Sequence, residues 1–285
     1  MQGDLAQKYE ALKDAIRPLG RAMVAFSGGV DSSLVTYVAG QVLGENALAV
    51  TSSTASLKRR DLQLAIRLAE EWGVAHRVIS TDEITKEDYR KNPVNRCFHC
   101  KTSLYSEMRH VAEEAGFTII LNGTNCDDLG DHRPGLVAAD DFDVRSPLVE
   151  AGFSKADIRA LAHALGMENA DKPQAACLSS RFPYGTAITE ALLAQVEQAE
   201  DVLADAGFTQ FRVRHHGDVA RLELMPDEFG VLLENRSRIE AAIKAAGYRY
   251  VSLDLGGFRS GSLNDALDPE QIQVVQIVAA PGTSQ

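Results

Sequence analysis

The sequence predicts an α/β fold, a parallel sheet with helices on both faces, followed by a smaller α+β domain. Three observations predict it. Short apolar runs alternate with helix-period stretches through the first half of the chain. A glycine pair sits between the first apolar run and the helix after it. Near residue 175 the alternation gives way to helix, hairpin, helix and strand. We therefore divide the chain into residues 1–175 and 176–285.

Residues 4–17 read as an amphipathic helix that ends before Pro18. A strand over 21–26, a turn and a helix over 31–42 follow, then a strand over 46–52. Leu62, Leu64, Ala65, Leu68 and Ala69 mark a helix over 60–72. Strands near 75–79 and 117–122 flank a helix over 101–115. Residues 123–153, rich in Gly, Asp and Pro, read as loop at the active face. Ser154, with Asp157 three positions on, starts a helix that stops at Gly166. After an irregular stretch over 171–186, helices are expected at 189–206 and 227–246, and strands at 210–215, 219–225 and 248–255.

The composition bounds the function. With 285 residues, 45% hydrophobic and 24% charged, the chain is an ordinary globular one. No apolar run is long enough to span a membrane and no secretory signal is visible, so a cytoplasmic protein without a membrane partner is expected. The net charge of −11 argues against a broad nucleic-acid surface. It leaves room for a small basic pocket. In a reducing compartment the four cysteines read as ligands, catalysts or core fillers rather than disulfides.

Ser27-Gly28-Gly29-Val30-Asp31-Ser32 joins the first strand to a helix. Two glycines let backbone approach a phosphate closely. Amides at the helix start face the anion, and the helix dipole favours negative charge there. Ser27, Ser32 and Ser33 add hydroxyls, and Asp31 is placed to hold Mg²⁺ against the phosphates. No lysine lies in the loop, so it is not the Gly-x-x-x-x-Gly-Lys motif. It resembles the loop of the ATP pyrophosphatases, the PP-loop superfamily with its adenine nucleotide alpha hydrolase-like fold, which cleaves ATP between the α and β phosphates. That resemblance implies that Ser52 lies beside the adenosine and that Gly123, at the carboxyl edge of the sheet, lines the nucleotide site. Asp127 and Asp128 read either as metal ligands, with Asp128 as a second Mg²⁺ carboxylate, or as solvated loop acids.

Cys97-Phe98-His99-Cys100 places two thiols where they can chelate one centre. Alone, the pair fits half a zinc site, a redox dithiol or two buried cysteines. Cys177 lies in the string Lys172-Pro173-Gln174-Ala175-Ala176-Cys177-Leu178-Ser179-Ser180-Arg181-Phe182-Pro183-Tyr184-Gly185. This string, with the stretches 122–135, 212–222 and 250–257, resembles the LarE family, sulfur transferases that assemble the nickel-pincer cofactor of lactate racemase. The resemblance covers nearly all of the chain except its tail.

The resemblance implies an ATP-dependent sulfurtransferase. ATP adenylates the carboxylates of a pyridinium-3,5-dicarboxylate mononucleotide, pyrophosphate leaves, and a sulfur nucleophile displaces AMP to give thiocarboxylates. In the family, one lone cysteine at the position of Cys177 gives up its own sulfur. Members that also carry a Cys-x-x-Cys pair hold a four-iron four-sulfur cluster with an open iron. With Cys97, Cys100 and Cys177 present, the cluster form is expected. Lys101 and Arg181 are expected near the ATP phosphates or the adenylate. Arg212 and Arg214, alternating on one strand face, are expected to clamp the anionic substrate. Cys126 carries no assigned role. The resemblance also implies a homo-oligomer such as a hexamer, with a sulfide donor and other cofactor-assembly proteins as partners. The rival readings are a tRNA thiolase, an amide-forming synthetase and a nucleotide-binding regulatory module.

Overall fold

The computed structural model describes residues 3–129, 134–173, 176–259 and 261–267. Parts of two motif stretches, residues 130–133 and 174–175, lie outside these, as does the tail. The chain divides into two compact units. Met1–Glu83 and Asn95–Ala175 belong to the first, Ile84–Val94 and Ala176–Ile272 to the second. The segment 84–94 thus groups with the later residues, which a single cut at 175/176 does not anticipate.

The first unit begins with α1 (Gly3–Ile16), β1 (Ala22–Ala25), α2 (Val30–Leu43), β2 (Ala47–Ser52), α3 (Arg59–Glu71) and β3 (Ala75–Ile79). The short α4 (Glu87–Arg90) belongs to the second unit. The first unit resumes with α5 (Arg96–Ala115), β4 (Ile120–Leu121), α6 (Pro134–Asp141), α7 (Pro147–Glu150) and α8 (Lys155–Ala164). Its four strands are parallel in the order β3-β2-β1-β4, with Ala22 opposite Ala47 and Met23 opposite Ile120.

Side chains on a strand alternate between faces, and β1 shows why the sheet is covered on both. Ala22 and Val24 join Leu12, Leu34, Val38, Leu68 and Ile158 on one side. Met23, between them, joins Tyr105, Met108 and Val111 of α5 on the other. Each large aliphatic side chain buried this way contributes roughly 1.5–3 kcal/mol. The open ends of the four parallel strands, with the loops that follow, make the edge where α/β ligands bind.

Two stretches of the first unit differ from the sequence expectation. The helix expected at 101–115 starts at Arg96 and takes both Cys97 and Cys100 into its first five residues. The stretch expected as loop contains α6 and α7, each opening on a proline, the residue whose missing N–H costs nothing at the first helical position.

The second unit continues with α9 (Glu190–Asp205), β5 (Phe211–His216), β6 (Val219–Leu224), α10 (Phe229–Glu234), α11 (Arg236–Ala245) and β7 (Tyr250–Leu253). β5 and β6 form an antiparallel hairpin, and β7 returns parallel to β6 after the two helices. Asn235 interrupts the single helix expected over 227–246. α9 and α11 cover the sheet through Leu203, Val213, Leu222, Ile239 and Ile243. Among the described residues no helix is long and apolar enough to cross a membrane.

Candidate active site

β1 ends in Ala25, and the Phe26 amide still bonds Val50 O at 2.8 Å before the chain turns. Gly28 has φ +70°, and a Cβ there would lie 3.2 Å from Asp61 O and 3.4 Å from the Ala65 Cβ. The loop therefore rests directly on α3, and only glycine takes this backbone without strain. Gly29 is the N-cap of α2 and makes no side-chain cap bond. The first amides of α2 are thus left for a ligand, at the end of the helix where the dipole favours an anion.

Around this end the hydroxyls are tied locally. Ser32 Oγ donates to Gly29 O at 3.1 Å and lies 3.2 Å from Ser27 Oγ. Ser33, expected as a phosphate donor, is fully buried, and its Oγ accepts from Asn169 Nδ2 at 2.7 Å. Its hydroxyl braces the protein side of the loop. Ser52 Oγ pairs with Thr81 Oγ1 at 2.8 Å at the ends of β2 and β3.

Gly123 follows β4 and meets α2 backbone to backbone. A Cβ there would be 2.6 Å from Ser32 N and 2.9 Å from Ser32 Cα, closer than packed atoms permit. Its contribution is the absence of a side chain. Beyond it, Asn125 caps the turn Cys126–Asp128, and Asp128 Oδ2 accepts from Asn125 N at 3.1 Å in a reciprocal capping box. Asp127 Oδ2 accepts from Lys155 N at 2.8 Å.

Asp31 is the central carboxylate of the loop. One oxygen, Oδ2, receives the Lys155 ammonium; the other, Oδ1, is buried and has no partner among the described residues. An unpartnered buried carboxylate oxygen is costly unless something fills its place. A divalent cation bound to phosphate oxygens fits that position. Lys155 is a site residue that sequence reading missed. The signal was available, because Lys155 follows Ser154, the N-cap of α8, whose capping box with Asp157 fixes its position.

On α5, Cys97 is exposed and Cys100 half-buried, three positions apart near the start of the helix, and neither is in a disulfide. This spacing puts both thiols on one helix face. Within this unit the described residues add no third His, Cys, Asp or Glu to the pair. Lys101 is beside them. Its ammonium is held above the ordinary range chiefly by Tyr105, against the opposing effect of burial, with smaller contributions from Cys100 and Cys97.

In the second unit Cys177 is the half-buried N-cap of a 3₁₀ turn, Leu178–Arg181. Arg181, expected near phosphates, is turned inward and 1% exposed. Its Nε and Nη2 make a two-pronged pair with Glu200 at 2.7 and 3.0 Å. Nη1 donates to Ala176 O at 2.7 Å and to Cys177 O at 3.0 Å. It is a pin for the cysteine turn.

Arg212 and Arg214 are both buried on β5 but are not equivalent. Arg214 pairs with Glu223 at 2.9 Å and donates to Ser180 O and Ser262 Oγ, each at 2.7 Å. Arg212 has no ion pair among the described residues; its guanidinium lies 5.2 Å from the Phe258 ring centroid. Burial, reinforced by Arg181 and Arg214, pushes its pKa down to about 10. It is the uncompensated cation of the group, and an incoming anion would relieve it.

The NAD synthase family model matches residues 6–101, which include the glycine loop and the cysteine pair. An uncharacterized protein of Synechocystis sp. is 41% identical over 92% of this chain and 99% of its own length. The pyridinium-3,5-bisthiocarboxylic acid mononucleotide synthase of Lactiplantibacillus plantarum is 40% identical over 94% of this chain and 98% of its own. The tRNA-specific 2-thiouridylase of Rickettsia typhi is 29% identical, but over 59% of this chain and 58% of its own.

Proposed function

The chain belongs to the LarE family of the PP-loop superfamily, and on that premise we propose that it is an ATP-dependent sulfurtransferase. Its substrate is the pyridinium-3,5-dicarboxylate mononucleotide, whose carboxylates it adenylates and converts to thiocarboxylates. The observation that carries this reading is the similarity to the L. plantarum synthase along almost the whole of both chains.

Each part of the chain has a chemical task in this reading. The amides at the start of α2 hold the β and γ phosphates. Asp31, through its unpartnered oxygen, would hold Mg²⁺, which when bound would offset phosphate charge. A substrate carboxylate oxygen attacks the α phosphorus, the bond to the bridging oxygen breaks, and pyrophosphate leaves with its charge already met. Lys155, paired with the other oxygen of Asp31, keeps a positive charge beside the loop. Arg212 takes the substrate phosphate or its second carboxylate, and Arg214, tied to Glu223, sets the position of the strand. A sulfur nucleophile then displaces AMP from the acyl carbon.

The donor set fits a cluster. Three thiols outside disulfides, two of them on one helical turn, are the ligands that iron–sulfur centres take. We assign Cys97, Cys100 and Cys177 to a four-iron four-sulfur cluster, which when bound supplies an open iron able to carry a sulfide.

Incubation of the anaerobically reconstituted protein with ATP, Mg²⁺, the pyridinium dicarboxylate and sulfide tests the reading. It expects AMP and pyrophosphate in equal amounts, both dependent on the acid, with a product heavier by the exchange of oxygen for sulfur. Formation of ADP, or pyrophosphate release indifferent to the acid, would refute it. Iron and acid-labile sulfide in anaerobically reconstituted protein test the cluster separately, and mass spectrometry after turnover shows whether Cys177 keeps its sulfur.

A further inference from the structure

The carbonyl of Gly28 accepts two hydrogen bonds from residues more than 140 positions away. Asn169 Nδ2 donates to it at 3.0 Å and Lys172 Nζ at 3.1 Å. Asn169 is 3% exposed and uses the same amide nitrogen to reach Ser33 Oγ at 2.7 Å, so it spans the glycine turn and the first turn of α2. Lys172 is in turn held by Asp61 Oδ1 at 2.9 Å, on the α3 surface that the loop rests upon.

The peptide joining Gly28 to Gly29 is planar and trans, so its carbonyl and its N–H point in opposite directions. Two donors that capture the carbonyl therefore also aim the Gly29 N–H. That N–H makes one weak contact in the structure, 3.4 Å to Ser27 Oγ, longer than an ordinary hydrogen bond. An ammonium on the carbonyl also polarises the amide and strengthens its N–H as a donor. Between two glycines nothing else in the local chain restrains this plane.

We propose that Asn169 and Lys172 are positioning residues for ATP. They act through the Gly28–Gly29 peptide, turning its N–H toward the nucleotide phosphates without touching the nucleotide. The proposal rests on the reading of residues 27–32 as the nucleotide loop, not on the identity of the acid substrate. It gives a task to two residues that motif matching leaves idle.

The test uses the full chain with α,β-methylene-ATP as a probe that cannot be cleaved, and compares Lys172→Met, Lys172→Arg and Asn169→Ala. A cavity of about 410 Å³ beside Asn169 and Lys172 gives an arginine at 172 room to keep both contacts. Loss of a charge-assisted hydrogen bond predicts probe binding weakened roughly tenfold or more in Lys172→Met. The KM for ATP should rise with it, while the KM for the pyridinium acid stays within about twofold; Lys172→Arg should recover most of the loss. Unchanged probe affinity in folded Lys172→Met overturns the proposal. So does a parallel rise of both KM values with a fall in melting temperature. If Lys172→Met fails to fold, Asn169→Ala is judged by the same criteria. A wild type that binds the probe but releases no pyrophosphate with the acid sinks the proposed reaction and leaves this inference standing on the affinities. A wild type that does not bind the probe overturns both.

Discussion

Replacing Arg181 by methionine removes the buried pin under Cys177, and its cost can be worked from the contacts. The side chains of Arg181 and Glu200 are 1% and 3% exposed, so neither charge is hydrated. Glu200 Oε1 also accepts from Val213 N at 3.1 Å, which fixes the carboxylate on β5. Arg181→Met leaves this carboxylate in the core without its arginine, a change that costs about 3–5 kcal/mol. Two carbonyls of the cysteine turn, Ala176 and Cys177, lose their donor as well. The melting temperature should fall by on the order of 10 °C, followed by circular dichroism. Because the same guanidinium holds the Cys177 carbonyl, the thiol should react faster with iodoacetamide at temperatures where the variant is still folded. The double variant Arg181→Met/Glu200→Met buries no charge and should recover about 2 kcal/mol or more over the sum of the single losses. A single variant within about 1 kcal/mol of wild type, or a double variant no better than additive, would refute the account.

Three further outcomes are expected. Gly123→Ala puts a methyl 2.6 Å from Ser32 N, so the start of α2 must shift; ATP affinity should drop at least tenfold by calorimetry, on the order of the loss of one or two amide contacts. Arg212→Ala should weaken binding of the pyridinium substrate about tenfold to a hundredfold; in the wild type the same affinity should fade as pH rises through about 10, where Arg212 loses its proton. Asp157 is held down to about 2 by the Lys8 ammonium first and by Ser154 next, so this carboxylate stabilises the fold above its ordinary value of 3.8 and the contribution is lost as pH falls through 2. Carboxyl NMR on Lys8→Met should show Asp157 titrating closer to 3.8, and an unmoved titration would remove Lys8 as the cause.

What the sequence makes legible is what is encoded locally. The alternation of strands and helices follows from period-2 and period-3.6 patterns, and the glycine loop is recognisable because its task is done by backbone between two such elements. The box at Ser154 and Asp157 is legible for the same reason, since the residues that cap a helix lie within it. Less visible are contacts made between distant positions. Ser33 Oγ accepts from Asn169, 136 residues away, a contact that no local pattern announces. Arg181 and Glu200 are 19 apart on different elements, and no spacing rule pairs them. Arg212 and Arg214 read as a symmetric pair on one face; the cross-strand register puts Glu223 opposite Arg212, yet it is Arg214 that bonds the carboxylate, along the diagonal. The start of α5 at Arg96 was hidden because Cys-x-x-Cys suits a loop as well as a helix.

The segment that interrupts the first unit has a consequence for anyone who would take the molecule apart. Asn92 donates to Phe182 O and Pro183 O at 3.3 and 2.8 Å, and its own carbonyl accepts from Gly185 N at 2.9 Å. Tyr89, 1% exposed, pairs its hydroxyl with Ser179 Oγ at 2.6 Å, and Arg90 O accepts from Ile188 N at 2.9 Å. Scissors applied once, anywhere between the halves of the gene, would strand this eleven-residue stretch on the wrong fragment. The half with the four-stranded sheet would display an orphaned patch, and the other half would lack the wall against which its cysteine turn is built.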